Sequence, residues 1–247
     1  MFKRIREDIA TVFRKDPAAR NTLEVILSYP GLHAVWIHRV SNFFYRRGEY
    51  TAARLISHLG RFLTHIEIHP GARIGPGFFI DHGSGVVIGE TTEIGPDCLI
   101  YQGVVLGGTS LKRKKRHPTL RPGVTVGAGA VVLGPVTVGE NARIGAGAVV
   151  ISDIPAGATA VGIPARVGKG FSCSDLKALE HGKLPDPVAD AVRYVIKEQE
   201  VLEKRVKKIE DLEGIKSHID KVIQDKKEEI LEEFSLNRDR FSRGGGI

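Results

Sequence analysis

The sequence predicts an α+β protein in which an α-helical N-terminal domain precedes a parallel β-helix and a charged C-terminal helix with a flexible tail follows it. The first observation is a six-residue repeat, because aliphatic residues recur every six positions through the middle of the chain. The second is the helical spacing of apolar residues on both sides of that repeat. A period of six fits neither an α-helix nor a solvated sheet, and it is typical of β-helices built from hexapeptide repeats.

Residues 1–65 are predicted to form the α-helical N-terminal domain. Apolar side chains between Phe2 and Phe13 recur three or four positions apart, which places them on one face of a helix. Pro30 breaks the next apolar run, and further helical stripes follow it. We therefore expect several amphipathic helices before the repeat begins.

Residues 66–168 are predicted to form the β-helix. Each unit supplies a short strand and a corner, with the aliphatic residue pointing inward and a small or β-branched residue two positions earlier. No single coil buries its own apolar face, so stability comes from stacking coils. A β-sandwich is the alternative, but its turns would fall at irregular spacings of about 8–12 residues. The predicted inward residues are Ile68, Ile74, Ile80, Ile88, Ile94, Ile100, Leu106, Val126, Val132, Val138, Ile144 and Val150.

The repeat is interrupted between Leu106 and Val124, and this interruption is predicted to be a loop that leaves one corner. Long loops inside a tight repeat are usually functional. The loop carries consecutive cations from Lys112 to Arg116. The segment from Lys112 to Lys115 fits two interpretations equally, capture of phosphate groups and a solvated charged loop.

Residues 169–247 are predicted to form the charged helical extension and the tail. Apolar residues from Val188 to Ile209 lie mostly three and four positions apart, which is a partial heptad pattern. A solvated helix and a self-association helix both fit this pattern. Three glycines precede the terminal Ile247, so the end of the chain is expected to be a flexible tether with an apolar tip and a carboxylate.

Composition narrows the class of protein. Only two cysteines occur among 247 residues, without the spacing of a disulfide framework or metal site, which fits the reducing cytoplasm. The charged N-terminus and the lack of a long apolar run predict no signal peptide and no membrane span. The net charge of +7 favours an anionic partner. Because aromatic and basic residues are not interleaved, we expect a small phosphorylated ligand rather than nucleic acid.

Three polar clusters interrupt the apolar repeat, around Glu67, Asp81-His82 and Arg116-His117. Acid–base chemistry at neutral pH favours a histidine with a carboxylate that holds its tautomer. Glu67 and His82 are 15 residues apart, close to one coil, so they are expected to lie one above the other on adjacent rungs. A guanidinium suits a carboxylate ligand, and the acidic side chain of Asp81 suits an ammonium group. Each residue taken singly also fits a structural role at a corner.

The motifs IEIHPGARIG, FFIDHGSGVVIGE, YQGVVLGGT, KRHPTL and VGIPARV resemble those of the serine O-acetyltransferases. The likeness covers nearly the whole chain, including REDIATVFRKDPAA near the start and LPDP after the repeat. The combination of DHG, GVVIGE, GGT and RHP is specific to this family, whereas the hexapeptide repeat alone indicates only the wider acyltransferase superfamily. The resemblance implies a left-handed β-helix and transfer of acetyl from acetyl-CoA to the L-serine hydroxyl, without a metal, in cysteine biosynthesis.

The family pattern also implies roles for individual residues. His82 matches the general base, and Glu67 matches the carboxylate that orients it, although many relatives carry aspartate there. The longer glutamate arm changes the geometry of this pair. Many relatives carry lysine where this sequence has Arg143, which keeps the charge. The implied contacts are Asp16 and Asp81 with the amino group of serine, Arg116 with its carboxylate, His117 with the substrate, and Ala128, Arg143 and Ala146 with acetyl-CoA.

The resemblance further implies an assembly, because active sites in the family lie between neighbouring subunits. A trimer is the minimum, and a dimer of trimers through the helical N-terminal domain is expected. L-cysteine is the expected feedback inhibitor, in competition with serine. Ile247 is expected to enter O-acetylserine sulfhydrylase, although a frayed terminus fits this segment equally well.

Two other functions compete with this hypothesis. An acetyltransferase could use homoserine, a sugar or an antibiotic, but Asp16, Asp81 and Arg116 favour an α-amino acid. A metal-dependent hydratase of the carbonic anhydrase kind would need three histidine ligands for zinc, for which His69, His82 and His117 are the candidates.

Overall fold

The computed structural model describes residues 2–167 and 187–213. Four helices come first: α1 (Phe2–Lys15), α2 (Thr22–Ser28), α3 (Pro30–Arg46) and α4 (Tyr50–Thr64). Fifteen short strands follow within the first range, and α5 (Pro187–Glu213) occupies the second. The strands are β1 (Glu67–Ile68), β2 (Arg73–Ile74), β3 (Phe79–Ile80), β4 (Val87–Ile88), β5 (Glu93–Ile94), β6 (Leu99–Ile100), β7 (Val105–Gly107), β8 (Thr119–Leu120), β9 (Thr125–Val126), β10 (Val131–Leu133), β11 (Thr137–Val138), β12 (Arg143–Ile144), β13 (Val149–Val150), β14 (Thr159–Val161) and β15 (Arg166–Val167).

Successive strands join three parallel sheets in rotation. Sheet A has the order β1-β4-β7-β10-β13, sheet B the order β11-β8-β5-β2, and sheet C the order β15-β14-β12-β9-β6-β3. Only β14 and β15 pair in antiparallel fashion, at the end of the repeat. This three-sided coil confirms the predicted β-helix of hexapeptide repeats. It has a C/A edge, where the chain turns from sheet C into sheet A, and an A/B edge, where it turns from sheet A into sheet B.

The interior of the coil holds the predicted inward residues. Ile88, Ile100 and Leu106 are at most 1% exposed, and small residues such as Ala130 and Ala142 fill the positions between the aliphatic ladders. Burial of each Val, Leu or Ile side chain contributes about 1.5–3 kcal/mol. Because every rung repeats this pattern, the corners are held in fixed positions relative to one another.

The interruption in the repeat is shorter than the sequence predicted. Strand β8 lies inside the interval between Leu106 and Val124, and Leu120 pairs in register with Ile94 and Val138. Leu120 is 1% exposed, so it is an inward residue six positions before Val126. The loop that leaves the A/B edge therefore spans residues 108–118.

The N-terminal helices pack on the first coils. Lys15 ends α1, and its Nζ donates to the carbonyl oxygens of Gly77, Asp97 and Cys98 at 3.1, 2.6 and 3.2 Å. A side chain at Gly31 in α3 would overlap the Ile80 carbonyl, so only glycine permits this approach. These contacts bring the end of α1 to sheet C.

Apolar side chains on the helices remain exposed in the single chain. Within the predicted stripe on α4, only Ala53 is fully buried. Leu55, Leu59 and Phe62 are 66%, 55% and 76% exposed. The stripe on α4 therefore does not form core within one chain, contrary to the simplest expectation from its spacing.

The described residues fall into two compact units, one holding residues 2–167 and the other holding α5. The last N-terminal helix ends at Thr64 and the first strand begins at Glu67, while the domain limits 1–65, 66–168 and 169–247 stay predictions. The predicted tail with Ile247 lies outside the described residues. Across the two described ranges, no helix is long and apolar enough to cross a membrane.

Candidate active site

The C/A edge carries the predicted base in a tight turn after β3. His82 has φ +57° and Gly83 has φ +73°, so both adopt left-handed backbone conformations. The side chain of His82 is 74% exposed, and its Nε2 lies 3.9 Å from Oδ1 of Asp81. The turn therefore presents an accessible imidazole beside a half-buried carboxylate.

A second carboxylate joins Asp81 from the helical domain. Asp16, just after α1, accepts a hydrogen bond from the Tyr29 hydroxyl at 2.5 Å and one from the Ala18 N–H at 2.7 Å. Burial raises the pKa of Asp81, and the negative charge of Asp16 raises it further while His82 opposes both effects. Two carboxylates that repel each other in this way form a site suited to a cation, as an amino group requires.

Tyr29 is a residue of this site that the sequence analysis missed. Its hydroxyl holds Asp16, and burial together with that hydrogen bond raises the pKa of Tyr29. The only signal in the sequence was its place directly before Pro30, which begins α3. That position marks a turn but not a contact with Asp16.

Glu67 does not stack on His82. Its ladder partner is Val87, because the first coil contains 20 residues from position 67 to position 87, and the expectation of adjacent rungs is wrong. The two additional residues at the corner between Ile80 and Ile88 cause this difference. The Glu67 carboxylate lies 3.1 Å from Arg61, and among the described residues no hydrogen bond joins it to His82.

The predicted acetyl-CoA residues continue the C/A edge on later coils. Ala128 follows β9, and its carbonyl oxygen accepts the Gly147 N–H at 2.8 Å, so the corner of Ala146 stacks directly on it. Ala146 and Gly147 are exposed, and a side chain added at Gly147 would meet no atom within 4 Å. Arg143 begins β12 in sheet C and is partly exposed. This edge offers an open line of small residues for an elongated ligand.

The A/B edge holds Arg116 at the end of the loop. Its guanidinium lies 2.5 Å from the Glu90 carboxylate, which also accepts the Tyr45 hydroxyl at 2.9 Å. Burial opposes ionisation of Glu90, but the hydrogen bonds from Tyr45 and Arg116 outweigh it and hold the pKa of Glu90 below its usual range. The side chains of Arg116 and Glu90 are only 23% and 30% exposed. Glu90 and Tyr45 were not among the predicted site residues.

His117 lies beside this ion pair and is 8% exposed. Its Nδ1 is hydrogen-bonded to Thr91, and a side chain at Gly89 would overlap its ring. Burial lowers the pKa of His117, and the neighbouring Arg116 lowers it further. The imidazole is therefore held neutral and in one orientation.

The basic loop divides into two parts. Lys112, Arg113 and Lys114 are exposed. Lys115 instead donates to the carbonyl oxygen of Thr91 at 2.7 Å, and burial lowers its pKa. Lys115 thus closes the base of the loop, while the exposed cations keep both interpretations, phosphate capture and solvation.

His69 lies near the A/B edge and is also held neutral. Its Nδ1 accepts the Gly71 N–H at 3.0 Å, and burial lowers its pKa to about 4. Within the parts of the chain that the structure describes, no three His, Cys, Asp or Glu side chains are arranged to hold a metal ion.

Residues 117–152 match the family model described as bacterial transferase hexapeptide (six repeats). The serine acetyltransferase of Bacillus subtilis is 52% identical over 202 residues, which are 82% of this chain and 92% of that protein. The serine acetyltransferase of Synechococcus elongatus is 52% identical over 217 residues, which are 87% of this chain and 85% of that protein.

Solved structures agree with these relatives. The Neisseria gonorrhoeae serine acetyltransferase in complex with serine has a TM-score of 0.65 at 38% identity, over 67% of this chain and 68% of that one. The Brucella abortus enzyme in complex with coenzyme A has a TM-score of 0.66 at 37% identity, over 69% and 68%. A serine acetyltransferase in complex with cysteine has a TM-score of 0.65 at 39% identity, over 67% and 68%. This chain belongs to the serine acetyltransferase family.

Proposed function

We propose that this protein transfers the acetyl group of acetyl-CoA to the hydroxyl of L-serine, giving O-acetyl-L-serine and CoA for cysteine biosynthesis. The observation that carries the proposal is the pairing of opposite charges around the exposed base. Asp16 and Asp81 suit the ammonium group of an α-amino acid, and Arg116 suits its carboxylate. A sugar acceptor would need neither, so these residues favour an amino acid.

In this proposal His82 is the general base. Its imidazole takes the proton of the serine hydroxyl while the oxygen attacks the carbonyl carbon of the thioester. The carbon–sulfur bond then breaks, and His82 returns the proton to the departing CoA thiolate. Acid–base catalysis of this kind contributes about 10²–10⁴ in rate, and the rest comes from holding the two substrates together.

Glu67 is proposed to orient His82. The Glu67 side chain is partly exposed and pairs with Arg61 rather than with His82 in the single chain. A glutamate side chain has enough rotamers to leave an exposed guanidinium, and surface pairs of this kind contribute about 0–1 kcal/mol. We expect Glu67 to exchange partners when substrate is bound.

The two halves of the serine site lie on different edges of the same coil. Asp81 and His82 are on the C/A edge, whereas Arg116 and His117 are on the A/B edge, with sheet A between them. Among the described residues, no hydrogen bond or ion pair connects the two groups. We propose that the C/A edge of one subunit faces the A/B edge of its neighbour in a trimer, which completes three equivalent sites.

The exposed apolar residues of α4 support a larger assembly. Leu55, Leu59 and Phe62 form a patch that one chain leaves uncovered, as is common where proteins associate. We propose that the helical domains join two trimers into a dimer of trimers.

Acetyl-CoA is proposed to lie along the C/A edge. The small corners of Ala128 and Ala146 leave room for a narrow chain, and they lie on the same edge as His82. Arg143 supplies a cation for the phosphates. This placement directs the thioester toward the base.

Other partners follow from the same site and from the tail. L-cysteine has the ammonium and carboxylate groups of serine and is proposed to compete for them, which the cysteine complex of a related enzyme supports. Binding of O-acetylserine sulfhydrylase through Ile247 is a further proposal. A cytoplasmic location is supported by the free, buried Cys98.

Thiol release from acetyl-CoA tests the proposal with L-serine, L-homoserine and no acceptor. The matched variant is His82→Asn, because asparagine tolerates the left-handed backbone of His82 but cannot act as a base. We expect serine-dependent release that falls by about 10²–10⁴ in the variant at an unchanged melting temperature. Release with homoserine alone would contradict the substrate, and release from His82→Asn at the wild-type rate would contradict the base.

A further inference from the structure

Thr91 directs its hydroxyl into the turn that holds Arg116 and His117. Its Oγ1 accepts the backbone N–H of Arg116 at 3.0 Å and that of His117 at 3.1 Å. The same Oγ1 lies 2.9 Å from Nδ1 of the His117 ring. The backbone N–H of Thr91 also donates to Nδ1, at 3.2 Å. One residue thus contacts both the main chain and the ring of His117.

These contacts determine where the proton of His117 lies. A backbone N–H is only a donor, so Nδ1 must accept from it and cannot itself carry a proton. The Thr91 oxygen already accepts two N–H groups, which leaves its own proton for Nδ1. A ring with its proton on Nε2 satisfies every group, whereas a proton on Nδ1 would face two donors.

The surroundings of the ring hold it in the same state. A side chain at Gly89 would overlap the ring, and one at Gly108 would lie 3.1 Å from Nε2. The cations Arg116 and Lys115 disfavour a charged ring, and Glu90 opposes them. His69 is the other titratable group that interacts with the ring, and it is held neutral.

The remaining nitrogen of His117 is free to bind a ligand. Within residues 2–167 and 187–213, Nε2 has no hydrogen-bond partner. Its N–H lies on the same edge as the Arg116 guanidinium, which is the proposed contact of the serine carboxylate.

We propose that Thr91 is a positioning residue that holds His117 as the neutral Nε2–H tautomer, so that His117 serves as a hydrogen-bond donor to a substrate oxygen. Proton abstraction is left to His82. The identity of the substrate rests on the proposed function, whereas the tautomer does not.

The tautomer is measured first, on wild-type enzyme without substrate. Long-range ¹H–¹⁵N correlation spectra of protein labelled with ¹⁵N-histidine are recorded from about pH 6 to pH 8, across the usual titration range of histidine. The signals of His117 are assigned by their loss in His117→Gln. We expect a protonated Nε2 and an unprotonated Nδ1 over this range. A proton on Nδ1, or a charged ring near neutral pH, would overturn the proposal.

A double-mutant cycle then tests the action of Thr91 through His117. We expect Thr91→Val to lower kcat/KM for serine about 10–100-fold and Thr91→Ser to restore it to within about threefold. In the His117→Gln background, Thr91→Val should cost less than about twofold, because its target is gone. Equal losses in both backgrounds would show that the hydroxyl acts only on folding and would overturn the proposal.

Thr92→Val is the matched control. The Thr92 hydroxyl is also buried, but among the described residues its Oγ1 has no hydrogen-bond partner, so we expect kcat/KM to stay within about twofold. If Thr91→Val fails to fold, the wild-type spectra alone decide. If wild type releases no thiol with serine, the proposed function fails, and the spectra still test the tautomer independently.

Discussion

The two edges of sheet A differ in how far one chain completes them. On the A/B edge, Arg116, Glu90 and His117 are bonded to their own chain and mostly buried. On the C/A edge, His82 is 74% exposed and its nearest carboxylate oxygen, on Asp81, is 3.9 Å away. One edge is therefore preorganised, and the other is open.

This difference corresponds to the proposed division of labour. A group that only recognises a substrate gains from being held in place, because less conformational freedom is lost on binding. A base that must reach both the serine hydroxyl and the CoA sulfur needs an accessible position. The predictions below change one edge at a time, from the largest expected effect to the smallest.

Arg116→Lys should break the preorganised edge. Lysine keeps the charge but loses the planar fork that bonds Glu90 and the proposed serine carboxylate. We expect KM for serine to rise about 10–100-fold, the cost of losing about 1.5–3 kcal/mol of charge-assisted hydrogen bonding. Steady-state kinetics with serine varied would measure it. Arg73→Lys, at an exposed pair with Glu93, is the control, and an equal effect there would contradict the role of Arg116.

Tyr29→Phe should weaken the open edge more mildly. The variant removes the hydroxyl that holds Asp16, so one carboxylate of the ammonium site loses its fixed position. We expect KM for serine to rise about 3–10-fold, from a neutral hydrogen bond of about 0.5–1.5 kcal/mol. Tyr50→Phe is the control, because its ring packs on Tyr45 and its hydroxyl has no hydrogen bond within the described residues. An unchanged KM in Tyr29→Phe would remove Tyr29 from the site.

His38→Gln should leave both edges intact and change only stability. His38 is buried in α3, and burial lowers its pKa to about 4 from an ordinary value of 6.5. Its lowered pKa means that the unfolded chain takes up this proton first, so stability is present above about pH 6.5 and is lost as pH falls toward 4. Glutamine keeps a donor for the Ala72 carbonyl but does not titrate.

Denaturant unfolding at a series of pH values would test this. Between pH 7 and pH 5, we expect wild type to lose about 1–2 kcal/mol more of its unfolding free energy than His38→Gln does. Serine-dependent activity at pH 7 should be the same in both proteins. Parallel pH curves for the two proteins would show that His38 does not titrate on unfolding.

The regular part of the fold could be predicted from the sequence because a β-helix repeats one local rule. The six-residue period alone placed Ile68 through Val150 inside the coil. Leu120 was missed because the basic loop before it hid its phase, although it lies six positions before Val126. The stacking of Glu67 and His82 failed because two additional corner residues lengthen the first coil.

The supporting residues of the site could not be predicted in the same way. Tyr29 reaches Asp16 across a turn, and Tyr45 reaches Glu90 from α3, so their partners depend on how helices dock on the coil. Thr91 contacts a histidine that follows 26 positions later. A period indicates which side chains face inward, but it does not indicate which outward side chains meet.

The most direct test of the shared site is complementation between two inactive variants. His82→Asn and Arg116→Ala enzymes are co-expressed with different affinity tags, and the mixed assemblies are isolated through both tags. If each site combines the C/A edge of one subunit with the A/B edge of another, random mixing leaves about a quarter of sites with both native halves. We predict serine-dependent activity near that fraction of wild type, against almost none for either variant alone. Mixed assemblies as inactive as the parents would contradict a site shared between subunits.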